Sequence, residues 1–219
     1  MPDFSDEAEV TAETKRHTRV GLLAHRRALT AGQRAAAAGR VVAALTDLVR
    51  RLRPRRLAGY VPVGSEPGGP DLPAALRAAL PPSADLLLPV LRPDLDLDWA
   101  VYDGVLVAAG RGMREPAGPR LGVTAIAGAD LVVVPALAVD RRGLRLGRGG
   151  GSYDRALARV PATVPTVALL HDGELVGSLP AQPHDRPVRA VVTPASGVIE
   201  LSPGPDVGPG TSAGRTRVR

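Results

Sequence analysis

A continuous apolar run that leads into a glycine-rich loop constrains the fold of this chain more than any other feature. The run "ADLVVVPAL", residues 129–137, is typical of a strand that is buried on both faces. It is followed by "RLGRGGGSYDRAL", residues 145–157, in which four glycines surround Arg148 and lead into a predicted helix. A buried strand, a glycine loop and a helix in this order indicate an α/β unit with a parallel sheet.

The rest of the chain continues this alternation. Strands are predicted over residues 55–63, 84–91, 129–137, 165–170 and, as the final strand, 189–194. Helices are predicted over residues 13–29, 31–53, 71–80 and 153–160, and an edge hairpin over 95–104. The second helix begins at a T-x-x-Q capping box formed by Thr30 and Gln33. The pattern predicts a single-domain α/β fold, with a doubly wound, mostly parallel sheet and helices on both faces (three layers, α/β/α).

Length and composition predict one domain, because 219 residues that are 44% hydrophobic can bury one sizeable core. Residues 1–12 are predicted to be a flexible acidic extension, residues 13–201 the α/β domain, and residues 202–219 a disordered basic tail rich in glycine and proline. The absence of cysteine excludes disulfides and thiolate chemistry. No apolar run reaches the length of a membrane span, so we expect a cytoplasmic protein that does not bind membranes.

The basic charge is concentrated near the start of the chain. Residues 1–14 carry five acids and no base, whereas residues 15–56 carry twelve bases and one acid. From residue 57 onward the two signs balance, with sixteen of each. This asymmetry indicates an anionic partner near the first helices, either a nucleic acid or a phosphorylated small molecule. Lys15 is the only lysine among 28 basic residues, which suggests a specific role for it.

The glycine loop has the features of a phosphate-binding site. Glycines allow backbone N–H groups to approach an anion closely, the following helix presents its N-terminus, and Arg145 and Arg148 add full charges. A carboxylate beside phosphates is suited to hold Mg²⁺, which makes Asp154 a candidate metal ligand. The alternative is a structural turn in which Asp154 caps the helix. The loop is neither G-x-x-x-x-G-K-[ST] nor G-x-G-x-x-G, since Ser152 stands where the third glycine would be.

Five segments in the same order resemble the 5-formyltetrahydrofolate cyclo-ligase family, also called methenyltetrahydrofolate synthetases. They are "KRHTRVGLLAHRRAL", "YVPVGSEP", "GMREP", "DLVVVPALAVDRRGLRLGRGGGSYDRAL" and "PHDRPVRAVVTP", within residues 13–195. The resemblance implies a ligase that closes 5-formyltetrahydrofolate to 5,10-methenyltetrahydrofolate, with ATP as co-substrate, Mg²⁺ as cofactor, and ADP and phosphate as products. The implied partners are ATP and a reduced formyl-folate, with no nucleic acid, for a monomer or small homo-oligomer. A paralogue acting on another N-formyl or pterin-like substrate, and a non-enzymatic nucleic-acid-binding protein, are the alternatives.

The resemblance also implies roles for individual residues. ATP would be bound by Lys15, Arg19, Arg145, Gly147, Arg148, Gly149, Gly150, Gly151 and Tyr153, of which Lys15 and Arg148 are the candidate catalytic residues. The metal would be held by Asp154 and Asp185. The folate would contact Val61, Glu66, Arg148 and Tyr153.

The chain also departs from the family pattern. Many members have an aromatic residue at the position of Ser152, an arginine at that of Val90, and an aromatic residue at that of Arg111. Ala136 and Val139 stand where glycine and phenylalanine are common. All of these departures fall on the expected folate side, while the residues expected to bind phosphate are all present.

Overall fold

The computed structural model of the chain describes residues 4–181 and 185–201. The helices are α1 (Phe4–Ala28), α2 (Ala31–Leu52), α3 (Leu72–Ala79) and α4 (Ser152–Leu157). The first six strands are β1 (Arg56–Ala58), β2 (Asp85–Leu91), β3 (Leu97–Val101), β4 (Leu106–Ala108), β5 (Arg114–Pro116) and β6 (Leu131–Pro135). The remaining strands are β7 (Ala138–Asp140), β8 (Arg145–Leu146), β9 (Thr166–Leu169), β10 (Leu175–Val176), β11 (Ala190–Thr193) and β12 (Gly197–Glu200).

Within the described residues, seven strands form the central sheet in the order β12-β11-β9-β6-β1-β2-β3. The five inner strands are parallel, and the outer strands β3 and β12 pair antiparallel with their neighbours. In the central register, Leu57 of β1 lies beside Leu131 of β6 on one side and Leu86 of β2 on the other. The predicted α/β fold with a mostly parallel sheet is therefore confirmed.

Both faces of the sheet are covered, which explains the continuous apolar run of β6. Leu131 and Val133 pack with α2 and α3 on one face. Val132 and Val134 pack on the other face with α4 and a short 3-10 turn, Ala125–Gly128. A strand in the middle of three layers has no face left for water, so its side chains do not alternate between apolar and polar.

Several predicted elements have different bounds in the structure. Helix α1 begins at Phe4 rather than at residue 13, so the prediction for its start is wrong. The sequence from Phe4 to Glu13 contains no proline or glycine that would end the helix sooner. Strand β1 covers three of the nine predicted residues, 55–63, because the chain leaves the sheet at Tyr60. The capping box is confirmed, with the Gln33 N–H donating to Thr30 Oγ1 at 3.2 Å.

The edges of the sheet were also predicted incorrectly. Residues 95–104 contribute one strand, β3, which forms a hairpin with β2 rather than within the segment itself. The strand predicted to be the last, 189–194, is followed by β12. Two small sheets, β4-β5 and β10-β7-β8, were not predicted, because strands of two or three residues carry little periodicity.

None of the described helices combines the length and apolar character needed to cross a bilayer. The tail predicted over residues 202–219 lies outside the described residues, and the predicted division into extension, domain and tail stays a prediction.

Candidate active site

A cavity of about 360 Å³ lies where strands β1, β2 and β6 end. Ligands of open parallel sheets bind at this carboxyl edge. The walls come from segments far apart in the sequence, including α1, the loop after β1, the glycine loop and the segment at Asp185. The cavity brings together all thirteen residues predicted from the sequence: Lys15, Arg19, Val61, Glu66, Arg145, Gly147, Arg148, Gly149, Gly150, Gly151, Tyr153, Asp154 and Asp185.

The glycine loop is carried by the β7–β8 hairpin, which lies between β6 and the loop. The buried Asp140 carboxylate shapes the turn of this hairpin by accepting hydrogen bonds from the backbone N–H groups of Arg142 and Leu144. After β8, Gly149 and Gly151 adopt left-handed backbone conformations, with φ of +104° and +67°. Residues with a Cβ rarely adopt these angles, so glycine is required for the path of the loop into α4.

Helix α1 brings two cations to the glycine loop. The Lys15 ammonium donates to Asp185 Oδ2 at 2.9 Å, and both side chains are mostly buried. One turn further on, Arg19 Nε donates to the carbonyl oxygen of Gly147 at 2.9 Å. Residues four apart lie on the same face of a helix, so the side chains of Lys15 and Arg19 both line the cavity.

Asp154 does not cap helix α4. The N-cap position is Gly151 and Asp154 lies inside the helix, so the alternative role of Asp154 as a cap is wrong. Its carboxylate instead accepts a hydrogen bond from Arg145 Nη2 at 2.5 Å. Arg145 is mostly buried, its guanidinium carbon lies 5.9 Å from the centre of the Tyr153 ring, and its Nε has no hydrogen-bond partner within the described structure. A buried guanidinium with an unused donor is suited to an anionic ligand.

Glu66 links the loop after β1 to the glycine loop. Its carboxylate accepts from the Val63 backbone N–H at 2.9 Å and forms an ion pair with Arg148 Nε at 3.2 Å. Burial raises the pKa of Glu66, and this effect outweighs the lowering by the Val63 N–H and by Arg148. Burial and the nearby Glu66 charge also raise the pKa of Tyr153, which keeps its phenol protonated and able to donate a hydrogen bond.

The chain is similar to proteins of one known family over most of its length. The model of the 5-formyltetrahydrofolate cyclo-ligase family matches residues 11–194. The chain belongs to this family. The 5-formyltetrahydrofolate cyclo-ligase of Mycolicibacterium smegmatis is 42% identical over 198 residues, which are 88% of this chain and 100% of the relative.

Solved structures agree with the cyclo-ligase assignment. The NMR structure of Aquifex aeolicus 5,10-methenyltetrahydrofolate synthetase has a TM-score of 0.71 and 26% identity, over 91% of this chain and 99% of that one. The 5,10-methenyltetrahydrofolate synthetase of Mycoplasma pneumoniae shares the fold, with a TM-score of 0.63 at 17% identity over 81% of this chain and 96% of that one. The predicted family and the prediction of an enzyme are confirmed.

The acidic residues of the cyclo-ligase cavity could hold a metal only together with ligands from a bound molecule. Within the described residues, no cluster of three or more His, Cys, Asp or Glu could hold a metal ion by itself. Asp154 and Asp185 nevertheless both line the cavity, each beside a cation. Mg²⁺ is commonly held by one or two carboxylates together with substrate phosphates. The donor set therefore suits Mg²⁺ bound to a polyphosphate.

Sequence reasoning missed residues whose place in the cavity depends on the tertiary fold. Among them are Tyr60, Val63, Leu91, Leu97, Met113 and Arg114. It also missed a fully buried ion pair between Arg26 and Glu174. A signal for Arg26 was present, since Lys15, Arg19 and Arg26 lie at helical spacing on one face, but its partner lies 148 residues away.

The departures from the family pattern differ in their distance from the cavity. Ser152 and Ala136 line it. Val90 and Val139 are fully buried and are not among the residues of its wall. The side chain of Arg111 lies outside the described part of the structure. Of these positions, Ser152 and Ala136 are placed to alter contact with a bound substrate.

The raised pKa of Glu66 predicts a pH-dependent change in stability. Folding favours the protonated carboxyl, so its stabilisation is complete below the ordinary pKa of 4.5 and is lost as the pH rises through the raised value. Glutamine resembles the protonated form. We expect the thermal midpoint of Glu66→Gln, relative to wild type, to rise between about pH 4 and about pH 8.

The matched control is Glu200→Gln, which changes an exposed glutamate at the edge of the sheet. Its midpoint relative to wild type should not follow the same trend. Thermal unfolding without ligand, followed by circular dichroism across this pH range, checks the prediction. The prediction would be contradicted if the thermal midpoint of Glu66→Gln minus that of the wild type stayed constant or fell as the pH rises.

Proposed function

We propose that this chain catalyses the ATP-dependent cyclisation of 5-formyltetrahydrofolate to 5,10-methenyltetrahydrofolate, with release of ADP and phosphate. The observation that carries the proposal is a single cavity with two different halves. One half is basic and contains the glycine loop, and the other contains a buried carboxylate and apolar walls. Membership in the cyclo-ligase family and the name of the M. smegmatis relative support the same activity.

The basic half is the proposed site for the triphosphate of ATP. Lys15, Arg19, Arg145 and Arg148 place four cations around the loop of Gly147, Gly149, Gly150 and Gly151. Charge-assisted hydrogen bonds to phosphate are about twice as strong as neutral ones. Mg²⁺ held by Asp154 and Asp185 against the phosphates would neutralise further negative charge.

The other half is the proposed site for the folate. Val61 and neighbouring apolar residues, among them Leu91, Leu97 and Met113, provide walls for a flat ring. Glu66 supplies a carboxylate that can accept N–H groups of a pterin, and the protonated Tyr153 can donate a hydrogen bond. A few polar groups in a largely apolar site are the usual means of orienting a small ligand.

The proposed reaction begins with a formyl oxygen that is a poor leaving group. Transfer of the γ-phosphoryl group to this oxygen breaks the bond to ADP and forms an imidate phosphate. N10 of the folate then attacks the formyl carbon, the N10 proton and phosphate leave, and the ring closes. Phosphoryl transfer depends mainly on positioning and charge neutralisation, which accounts for a site built from cations and a glycine loop.

The contacts of Arg148 support a role toward both proposed substrates. It belongs to the glycine loop, yet its side chain pairs with Glu66 and donates to the Val63 carbonyl oxygen at 3.4 Å. Its guanidinium is about half exposed, so it remains accessible to a ligand. We assign Arg148 and Lys15 to stabilising the charge on the transferred phosphoryl group.

An absorbance assay for the methenyl product tests the proposed function. Purified protein with 5-formyltetrahydrofolate, ATP and Mg²⁺ should form the product with one phosphate released per ring closed. Mixtures lacking ATP or the protein are the controls. ATP binding without product formation would reject this substrate and favour the alternative of another N-formyl or pterin-like compound.

Other expectations from the sequence stay predictions. They are the absence of nucleic-acid binding, the monomeric or small homo-oligomeric state, and the cytoplasmic location. Titration with random duplex DNA at physiological salt tests the first of these, since non-specific binding to DNA depends strongly on salt.

A further inference from the structure

We propose that Arg26 is a positioning residue for nucleotide binding. Through its ion pair with Glu174 it sets the place at which α1 presents Lys15 and Arg19 to the glycine loop. The inference rests on the proposed function, because it takes the basic half of the cavity to be the ATP site.

Three hydrogen bonds hold Arg26 within the described part of the structure. Its Nε donates to Glu174 Oε1 at 2.6 Å, and its Nη2 donates to Glu174 Oε2 at 2.7 Å. The same Nη2 donates to the carbonyl oxygen of Ala136 at 2.5 Å. Both charged residues are 0% exposed. A planar guanidinium that bonds a carboxylate through two nitrogens fixes orientation as well as distance.

The described side chains of α1 contact the rest of the protein mainly through polar groups, Lys15 and Arg19 among them. Among its side chains that the structure describes, only Lys15 and Arg26 are buried, and both are charged. Val20 is 63% exposed, whereas Leu22 is partly buried and packs against a small apolar cluster at Leu146. A helix without a wide apolar stripe depends on such polar anchors for its position.

The anchor and the two nucleotide-side cations share one face of α1. Lys15, Arg19 and Arg26 are separated by four and seven residues, which brings them to nearly the same angle around the helix. Lys15 lies eleven residues from Arg26, about 16 Å along the axis. A tilt of about 10° at the anchor would therefore move the Lys15 end by about 3 Å. Misplacement by about 1 Å is enough to cost about 100-fold in a reaction that depends on positioning.

The Arg26–Glu174 ion pair is also connected by hydrogen bonds to the proposed folate half of the cavity. That half has further hydrogen bonds of its own. The His171 backbone N–H donates to Glu174 Oε2 at 2.7 Å, and His171 Nε2 lies 3.0 Å from the carbonyl oxygen of Ser65. The loop of Glu66 is also held by the Tyr60 hydroxyl, which donates to the Pro67 carbonyl oxygen at 2.7 Å without a bond to Arg26 or Glu174. We therefore expect the loss of Arg26 to affect ATP more than the folate.

The test uses the double substitution Arg26→Met with Glu174→Met. It removes the anchor without leaving one buried charge unpaired, and apolar residues of similar volume commonly preserve the stability of such a site. We expect the Kd for ATP, measured by titration calorimetry, to rise at least about 10-fold. The KM for 5-formyltetrahydrofolate at saturating ATP should rise clearly less than the Kd for ATP, since Glu66 keeps its own bonds to the Val63 N–H and to Arg148 when the acceptor of the His171 N–H is lost. The control, Arg27→Met, changes the adjacent exposed arginine and should alter neither constant.

An unchanged Kd for ATP in the folded double variant would overturn the proposal, as would an equal rise in both constants. If the double variant does not fold, the single substitution Arg26→Lys tests the proposal instead. Lysine keeps the positive charge but cannot bond both carboxylate oxygens of Glu174 in one plane. A Kd for ATP that rises in Arg26→Lys supports the proposal, and a wild-type Kd overturns it. The Kd for ATP is measured without the folate, so it can be determined for the wild-type protein even if the proposed cyclisation does not occur. A failure of the positioning proposal is therefore distinguishable from a failure of the proposed function.

Discussion

Replacing Asp154 by asparagine is expected to lower the rate of methenyl formation by about 10²–10³, the effect of losing one preorganised electrostatic contact. Asparagine keeps the shape of the side chain and can still accept the Arg145 hydrogen bond, but it removes the charge proposed to hold Mg²⁺. Part of the rate should return at high Mg²⁺, because the defect lies in metal affinity. Initial rates measured against Mg²⁺ concentration check this result.

The control for Asp154→Asn is Asp85→Asn. Asp85 also pairs with an arginine, at 2.9 Å from Arg56, but it does not line the cavity. Its rate should match the wild-type rate. Asp154→Asn leaves the mostly buried Arg145 without a charged partner, so a lower thermal midpoint without ligand is expected, and rates are compared well below it. Full activity with an unchanged Mg²⁺ dependence would leave Asp154 with a structural role only.

Replacing Lys15 by methionine is expected to raise the KM for ATP by about 10-fold to 150-fold. This range corresponds to about 1.5–3 kcal/mol for a charge-assisted hydrogen bond to phosphate. Methionine keeps most of the apolar stem, so packing against the cavity wall changes little. Steady-state rates with ATP varied at saturating folate provide the measurement.

Arg16→Met is the matched control for Lys15→Met, because Arg16 is the next residue of α1 but is exposed and pairs with Glu13. It should leave the KM for ATP close to the wild-type value. Similar effects of both substitutions would indicate a diffuse positive field without a specific role for Lys15. A field of this kind is screened by salt, so repeating the comparison at 0.1 M and about 1 M salt distinguishes the two cases.

Much of the fold could be predicted because the signals are local. The apolar run of β6 is five consecutive residues, and it indicates a strand buried on both faces without knowledge of its neighbours. The capping box of Thr30 and Gln33 forms within four residues of the chain. The β7–β8 hairpin was missed because its strands are short and their pairing depends on Asp140 and on β10. The end of β1 was misplaced because Tyr60 and Val61 are buried in the cavity wall rather than in the sheet.

The composition of the candidate site was predicted more completely than its contacts. Local spacing and family resemblance named the residues of the glycine loop and the cations of α1. The local pattern around Asp154 allowed either a cap or a metal ligand, and only the structure shows that its carboxylate meets Arg145.

The sequence by itself determined the alternation of strands and helices, the glycine loop that requires left-handed backbone angles, and the family to which the chain belongs. These depend on burial periodicity and turn chemistry over a few residues. Only the tertiary structure decided which buried charges meet, as Lys15 meets Asp185 across 170 residues and Arg26 meets Glu174 across 148. The physical reason is that a buried charge needs a partner to offset its lost hydration. Which residue becomes that partner depends on how the helices and strands are arranged in space, and no short segment encodes that arrangement.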